Sequence, residues 1–162
     1  MDCLHEFATP QLARLPSGKV RDSFRVDAGT RLMVATDRIS AFDQVLRPPV
    51  PGKGAVLTGL SAHWFRATQD LVPNHLIDVV DPQAMLVREA QPIRLEVIVR
   101  GFLTGSMWRG YERGKRVFSG ATVPDGLGRN ARLPAPLLTP TTKGSTDREI
   151  SPAEIVAEGR VE

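Results

Sequence analysis

Four short segments carry residue types able to handle phosphate or carboxylate groups. In Gly18-Lys19-Val20-Arg21-Asp22, glycine lets backbone amides approach an anion, and Lys19 and Arg21 bring charge beside it. The segment lacks the fuller glycine spacing of a P-loop or dinucleotide fingerprint, and alone it reads more readily as a turn before a strand. The second, Ala35-Thr36-Asp37-Arg38-Ile39-Ser40-Ala41-Phe42-Asp43, sets two carboxylates, an arginine and a serine at a strand end, suiting a polar ligand or a metal-bound phosphate. A turn solvated by its own Asp and Ser side chains fits the same letters. The third, Leu95-Glu96-Val97-Ile98-Val99-Arg100-Gly101-Phe102-Leu103-Thr104-Gly105-Ser106, is the most specific. A strand ends in Arg100 and passes through glycine into a Thr-Gly-Ser helix start, and a guanidinium beside helix-start amides is a sound cradle for a phosphate monoester or carboxylate. The alternative has Arg100 on the polar face of a strand, paired with a surface acid. In the fourth, Thr139-Pro140-Thr141-Thr142-Lys143-Gly144-Ser145-Thr146-Asp147, a lone lysine could reach a transferring phosphoryl group, with Asp147 near enough to bind an amine. An ordinary exposed loop explains that segment as well.

Composition narrows the classes. A chain of 162 residues can form one domain with a core or two small lobes. With 41% hydrophobic and 24% charged residues it falls among folded globular proteins, which excludes disorder of the whole chain. No apolar run is long enough to cross a bilayer, so no membrane is expected. The start, Met1-Asp2-Cys3-Leu4-His5-Glu6-Phe7, does not read as a signal peptide. A single cysteine, Cys3, cannot close an internal disulfide, and a cytoplasmic location is expected. The net charge of +3, carried largely by arginine, suits a phosphorylated small ligand. Basic residues are scattered and aromatics are only 6%, too sparse for a base-stacking platform, so nucleic acid is not an expected partner.

These segments need elements to position them. Val20, Asp22, Phe24 and Val26 alternate with Arg21, Ser23 and Arg25, which predicts a strand. Asp27-Ala28-Gly29-Thr30 then reads as a turn and Arg31 to Thr36 as the return strand of a hairpin. After the Pro/Gly-rich link from Arg47 to Gly54, Thr58 is a plausible N-cap for a helix burying Leu60, Trp64, Phe65 and Leu71 on one side. Further strands are predicted at Leu76–Val80 and Ala84–Val87. The clearest is Ile93–Arg100, with Ile93, Leu95, Val97 and Val99 on one face. A short helix follows at Met107–Arg113, and Gly120 to Thr142 reads as loop, with four prolines and three glycines. Ser151-Pro152-Ala153-Glu154 opens a helix with a capping box, barely two turns before Glu162. A helix so well signalled and so soon ended predicts a chain cut short, because a short isolated helix is marginal in water.

In this order and spacing the four segments resemble the phosphoribosylaminoimidazole-succinocarboxamide synthase (SAICAR synthetase) family. Gly52-Lys53-Gly54-Ala55-Val56-Leu57-Thr58, Trp64-Phe65 and Asn74-His75-Leu76 add to the likeness, which runs from about Gly18 to Pro152. The resemblance implies an ATP-dependent ligase of purine biosynthesis. It joins L-aspartate to the carboxylate of carboxyaminoimidazole ribonucleotide through an acyl phosphate, with ATP and Mg²⁺ as cofactors. It implies an α+β fold in two lobes around a kinase-like or ATP-grasp-like ATP cleft. Residues 1–91 would be an antiparallel β lobe with a helix covering ATP, and 92–162 the start of an incomplete second lobe. By the same resemblance Gly18, Lys19 and Arg21 hold ATP phosphates and Glu96 and Val97 hold adenine. Ser40, Asp43, Arg100, Gly105 and Ser106 bind the ribonucleotide; Lys143 and Asp147 are catalytic. The chain departs from the family pattern at Arg94, where proline is usual, at Arg47-Pro48-Pro49, and at Thr146, where histidine commonly precedes the aspartate. The family's later D-x-K-x-E-F-G segment, a source of Mg²⁺ ligands, does not occur. The metal ligands are therefore unassigned, and negligible turnover is expected of these 162 residues alone. A non-catalytic nucleotide-binding fragment is the alternative, and a missing C-terminal portion or a homo-oligomer is the expected partner.

Overall fold

The computed structural model describes residues 3–42, 44–144 and 146–161. The chain divides into two units, Met1–Gln91 and Pro92–Glu162. The first contains strands β1 (Ala13–Arg14), β2 (Arg21–Arg25), β3 (Thr30–Ala35), β4 (Ile39–Ala41) and β5 (Gln44–Leu46), helix α1 (Lys53–Ala67), and strands β6 (Leu76–Asp81) and β7 (Ala84–Arg88). The second contains β8 (Leu95–Glu96), β9 (Val99–Phe102), α2 (Gly105–Glu112), β10 (Val117–Phe118), β11 (Ala121–Thr122), β12 (Arg132–Leu138), β13 (Thr141–Thr142) and α3 (Pro152–Ala157). The class is α+β, with antiparallel pairing throughout the named strands.

In the first unit five strands form a sheet in the order β1-β2-β3-β7-β6. The hairpin expected from period-two alternation is β2–β3, with Arg25 opposite Arg31 and Arg21 opposite Ala35. Alternation sends Asp22, Phe24, Leu32 and Val34 to one face and Arg21, Ser23, Met33 and Ala35 to the other. Both faces are covered, so Asp22, Ser23 and Phe24 are all buried. The N-terminal segment covers the first face: Leu4, Phe7 and Leu12 pack on Phe24, Val34 and Ala84. The Phe7 and Phe24 rings meet edge-to-face at 5.4 Å, within the favoured range for aromatic pairs.

Helix α1 lies against the other face, and here the structure corrects two expectations. The helix begins at Lys53, after Gly52 at φ 75°, and Thr58 is a buried mid-helix residue rather than an N-cap. The predicted apolar side is largely solvent-facing: Leu60 is 52% exposed, Trp64 61% and Leu71 84%. Phe65 alone of that set is half-buried, against the His75 ring at 4.9 Å. The buried residues are Gly54, Thr58 and Ala62, one turn apart. Small side chains win this face because the helix approaches the sheet too closely for large ones. A Cβ on Gly54 would fall 2.1 Å from the Ala35 carbonyl oxygen.

In the second unit the predicted strand Ile93–Arg100 is broken into β8 and β9, and Ile93, Val97 and Val99 are exposed. Glu96 pairs with Thr141 and Val99 with Leu138, so one register continues across the gap and sets Val97 opposite Pro140. Pro140 turns its backbone away from β8 and β9, its carbonyl accepting from Ile150 N at 3.2 Å, so its missing N–H costs this pairing nothing. Thr139 N still donates to the Ile98 carbonyl at 2.8 Å. The stretch read as loop contains β12, despite Pro134 and Pro136. Both prolines fall where the register shifts between Arg132 and Leu137, an irregularity that tolerates missing donors. Helix α2 begins at Gly105 and contributes Met107 and Tyr111 to a core with Leu103, Phe118, Val123 and Leu133. The Tyr111 hydroxyl donates to the Pro124 carbonyl at 2.7 Å and accepts from Leu127 N at 3.1 Å, tying the following loop to the helix. Helix α3 opens with the expected capping box, Glu154 N donating to Ser151 Oγ at 3.2 Å and Ser151 N to Glu154 Oε2 at 2.7 Å.

Candidate functional site

The end of β3 and the residues after it fix the start of α1. Asp37, 2% exposed, accepts from Gly54 N at 2.9 Å, Leu4 N at 2.9 Å and Gln83 Nε2 at 3.2 Å. Burial alone would raise its pKa. The amides of Gly54, Leu4 and Gly52 and the charge of Lys53 outweigh burial and hold the carboxyl below its ordinary value. Asp22 is fully buried and accepts from Arg38 at 2.9 Å, Arg14 at 3.3 Å and Phe7 N at 2.9 Å. Burial again pushes upward, and the Arg38 hydrogen bond, the Phe7 amide and the charges of Arg38 and Arg14 bring the net below ordinary. Asp37 and Arg38 thus serve structure: Arg38 also donates to the carbonyls of Lys19 (3.0 Å), Gly18 (3.4 Å) and His5. This positions the Gly18–Lys19 bend, itself closed by Gly18 N donating to the Arg21 carbonyl at 2.9 Å. Ser40 lies in β4 opposite Val45, half-buried; Asp43 lies outside the described residues.

Between this sheet and α1 is a cavity of about 120 Å³. Val20, Met33, Ala35, Leu57 and Met85 give it apolar walls; Arg21, Lys53, Thr58 and Ser61 give it polar groups. Lys53 Nζ donates to the Thr36 carbonyl at 3.3 Å, and its pKa is lowered, by burial first and then by Arg21 and Arg38, with Asp37 opposing. Lys53 and Thr58 were not among the candidate site residues, although Gly52–Thr58 was part of the family likeness and Thr58 an expected N-cap. The Gly-Lys-Gly run at the helix start was the available signal.

In the second unit Arg100 Nε donates to Thr139 Oγ1 at 3.0 Å and its NH2 to Ser106 Oγ at 3.4 Å. Gly105, the first residue of α2, has φ +59°, a left-handed conformation that admits glycine without strain. Arg100, Ser106, Thr139 and Thr141 line a cavity of about 160 Å³ with Lys115 and Glu149. Lys115 is paired with Glu149, which also accepts from Ser119 N. Burial raises the Glu149 pKa, but hydrogen bonds from Lys115 and Ser119 N and the charges of Lys115 and Arg100 leave it lowered overall. Lys143 sits between Asp147 at 2.5 Å and Glu96 at 2.7 Å, and these two raise its pKa. Val97, between β8 and β9, is exposed.

The sequence-predicted residues therefore form local groups: Gly18, Lys19 and Arg21 about one bend, Arg100 with Ser106 and Gly105, and Glu96 with Lys143 and Asp147. Of those described, Gly18, Lys19, Arg21 and Ser40 belong to the first unit and the others to the second. Among the described residues, no group of three or more His, Cys, Asp or Glu side chains could hold a metal ion. The described residues therefore do not form a Mg²⁺ site. No helix of the described residues is long and apolar enough to cross a membrane.

Cationic side chains and hydroxyls line a cavity in each unit of this chain, whose class is α+β. The sequence model of SAICAR synthetase matches residues 14–162, and the chain belongs to the SAICAR synthetase family. Phosphoribosylaminoimidazole-succinocarboxamide synthase of Halorhodospira halophila is 48% identical over 161 residues, covering 90% of this chain and 54% of that protein. The Legionella pneumophila (strain Paris) synthase is 47% identical, with 97% and 51% covered. Among solved structures, SAICAR synthase of Saccharomyces cerevisiae complexed with SAICAR superposes with a TM-score of 0.85 at 36% identity, covering 96% of this chain and 58% of that one. The chain spans about half the length of the relatives it matches.

Proposed function

We propose that this chain supplies nucleotide- and ribonucleotide-binding elements of an ATP-dependent ligase. The ligase joins L-aspartate to the carboxylate of carboxyaminoimidazole ribonucleotide in purine biosynthesis, in the cytoplasm. The observation that carries this reading is Arg100, held by Thr139 and Ser106 on a cavity wall in a chain of this family. A guanidinium held by neutral hydroxyls keeps donors for an anion, and Glu149, the carboxylate on the same cavity, is bonded to Lys115 and Ser119 N. In this reading Arg100, Ser106 and Gly105 take the ribonucleotide phosphate, with Ser40 and Asp43 contributing to the same substrate. Gly18, Lys19 and Arg21 take ATP phosphates, and Glu96 and Val97 take adenine. Lys143 meets the transferring phosphoryl group and Asp147 the amine of aspartate. Phosphoryl transfer is mainly positioning and charge stabilisation, which suits this set of cations. Beside the two ammonium N–H groups that face Asp147 and Glu96, Lys143 has a third to offer a phosphate oxygen.

Calorimetry with ADP and with SAICAR, the ligand named for the yeast relative, tests the assignment. Lys19→Ala is expected to weaken ADP about ten-fold and spare SAICAR; Arg100→Met is expected to do the reverse. SAICAR affinity unchanged in Arg100→Met would defeat the reading. Steady ADP release dependent on both aspartate and the carboxylated ribonucleotide separates a ligase from a nucleotide-binding chain without turnover.

A further inference from the structure

The cavity of the second unit carries a lysine that the ribonucleotide reading leaves unused. Lys115 follows α2, and its backbone N donates to the Gly110 carbonyl at 3.0 Å. A Cβ on Gly110 would fall 3.2 Å from Phe118 and 3.6 Å from Lys115 Cδ, so glycine leaves room there for both side chains. The Lys115 ammonium sits 4.8 Å from the Phe118 ring centroid, within cation–π range, and pairs with Glu149. Glu149 is itself anchored: its backbone bridges to Thr141, and its second carboxylate oxygen accepts from Ser119 N. An exposed lysine–glutamate pair by itself scarcely offsets the ordering of a long side chain. Here the ring, the glycine gap and the carboxylate together hold the ammonium on a wall shared with Arg100, Ser106, Thr139 and Thr141.

Among the described residues lining this cavity Glu149 alone is acidic, against the cations Arg100 and Lys115. A phosphate monoester brings close to two negative charges, which Arg100 and Lys115 would balance and which an ionised Glu149 would oppose. We propose that Lys115 is a second cation for the phosphate held by Arg100 and Ser106, and that Glu149 is its internal counter-ion, competing with that phosphate for Lys115 and keeping it exchangeable. The proposal rests on the ribonucleotide reading above and adds to it the pair that sets how tightly the phosphate is held. An ammonium has three N–H groups, so Lys115 keeps donors for phosphate oxygens beside the one that faces Glu149. Before the ligand arrives Glu149 keeps Lys115 in place; once it is bound, the carboxylate repels it and shortens its stay.

The test is calorimetry and stopped-flow dissociation on the 162-residue protein and its Lys115→Met and Glu149→Gln variants, with SAICAR, its dephosphorylated riboside and inorganic phosphate. Lys115→Met is expected to weaken SAICAR about ten-fold. Glu149→Gln keeps an acceptor for Ser119 N while removing the charge, and is expected to tighten SAICAR about five-fold, chiefly through slower dissociation. Inorganic phosphate should follow the same two signs, and riboside affinity should stay unchanged in both variants. Glu149→Gln is nearly isosteric, so it decides the matter if Lys115→Met fails to fold by far-UV circular dichroism. A pair that only braces the fold predicts lower melting temperatures and native SAICAR affinity in both variants. That result, with Arg100→Met still impaired, would sink the counter-ion pair and leave the ribonucleotide reading standing. Weaker SAICAR binding in Glu149→Gln would likewise count against it, making the glutamate a support rather than a competitor. SAICAR affinity unchanged in Arg100→Met would overturn both the pair and the reading beneath it.

Discussion

Replacing Gly54 by alanine tests whether close approach of α1 to the sheet organises the first unit. The added methyl would lie 2.1 Å from the Ala35 carbonyl oxygen and 2.2 Å from Gln83 Nε2, where ordinary contact begins at 3.4 Å. Gln83 is a side chain and can swing away, at the cost of its bonds to the Ala35 carbonyl and Asp37. The Ala35 carbonyl belongs to the central strand β3 and cannot, so the helix start must retreat by more than 1 Å. Retreat breaks the 2.9 Å bond from Gly54 N to Asp37 and leaves a buried carboxylate short of a donor. Overpacking costs about 1–3 kcal/mol, and loss of a hydrogen bond to a charged acceptor about 1.5–3 kcal/mol. Alanine's better helix propensity returns about 1 kcal/mol. The expected net destabilisation is about 1.5–5 kcal/mol, the range set by how far α1 can move. Urea unfolding followed at Trp64, in a Trp108→Phe background so that α1 alone reports, measures it. Stability equal to or above that of the parent would refute the claim that backbone proximity selects glycine here. The steric and hydrogen-bond costs would then be absent and only the propensity gain would remain.

Two further outcomes follow from the buried carboxylates. Arg38→Met removes the 2.9 Å partner of a fully buried Asp22. Breaking a buried pair typically costs 3–5 kcal/mol, and the remaining Arg14 and Phe7 contacts place the expected loss near the lower end, about 3 kcal/mol. Thermal unfolding measures it; a loss within 1 kcal/mol would show that Arg14 alone suffices. Both Asp22 and Asp37 have folded-state pKa values below the ordinary 3.8. The unfolded chain therefore binds protons first on acidification. The stability these groups contribute is complete above the ordinary carboxylate range and is lost as pH falls from about 4 toward their lower folded values. The melting temperature should decline over that interval, less steeply in Asp37→Asn; an unchanged slope in that variant would remove Asp37 from the account.

The α+β class and the β2–β3 hairpin were legible because period-two alternation and a glycine-bearing turn are local signals. The capping box at Ser151 was legible for the same reason. What failed had non-local causes. Apolar periodicity in α1 pointed to Leu60 and Trp64, yet the buried face is decided by distance to β3, which the helix's own sequence does not contain. The break after Glu96 lies opposite Pro140, 44 residues further along the chain, and residues 93–100 do not contain the pairing that shows it. Conversely Arg132–Leu138 was hidden by its prolines, which fit only because the register is irregular where they fall. The candidate site follows the same division. Gly18 with Lys19 and Arg100 with Ser106 are near neighbours in sequence, and their types alone drew attention to them. Asp37 looked like a ligand-binding carboxylate and proves to be the acceptor that starts α1, because its three donors come from residues 4, 54 and 83. That capture matters for chemistry as well as for folding. With Asp37 bonded to the amides of Leu4 and Gly54 and Asp22 to Arg38, neither carboxylate lines the first cavity, where Arg21 and Lys53 are the charged groups.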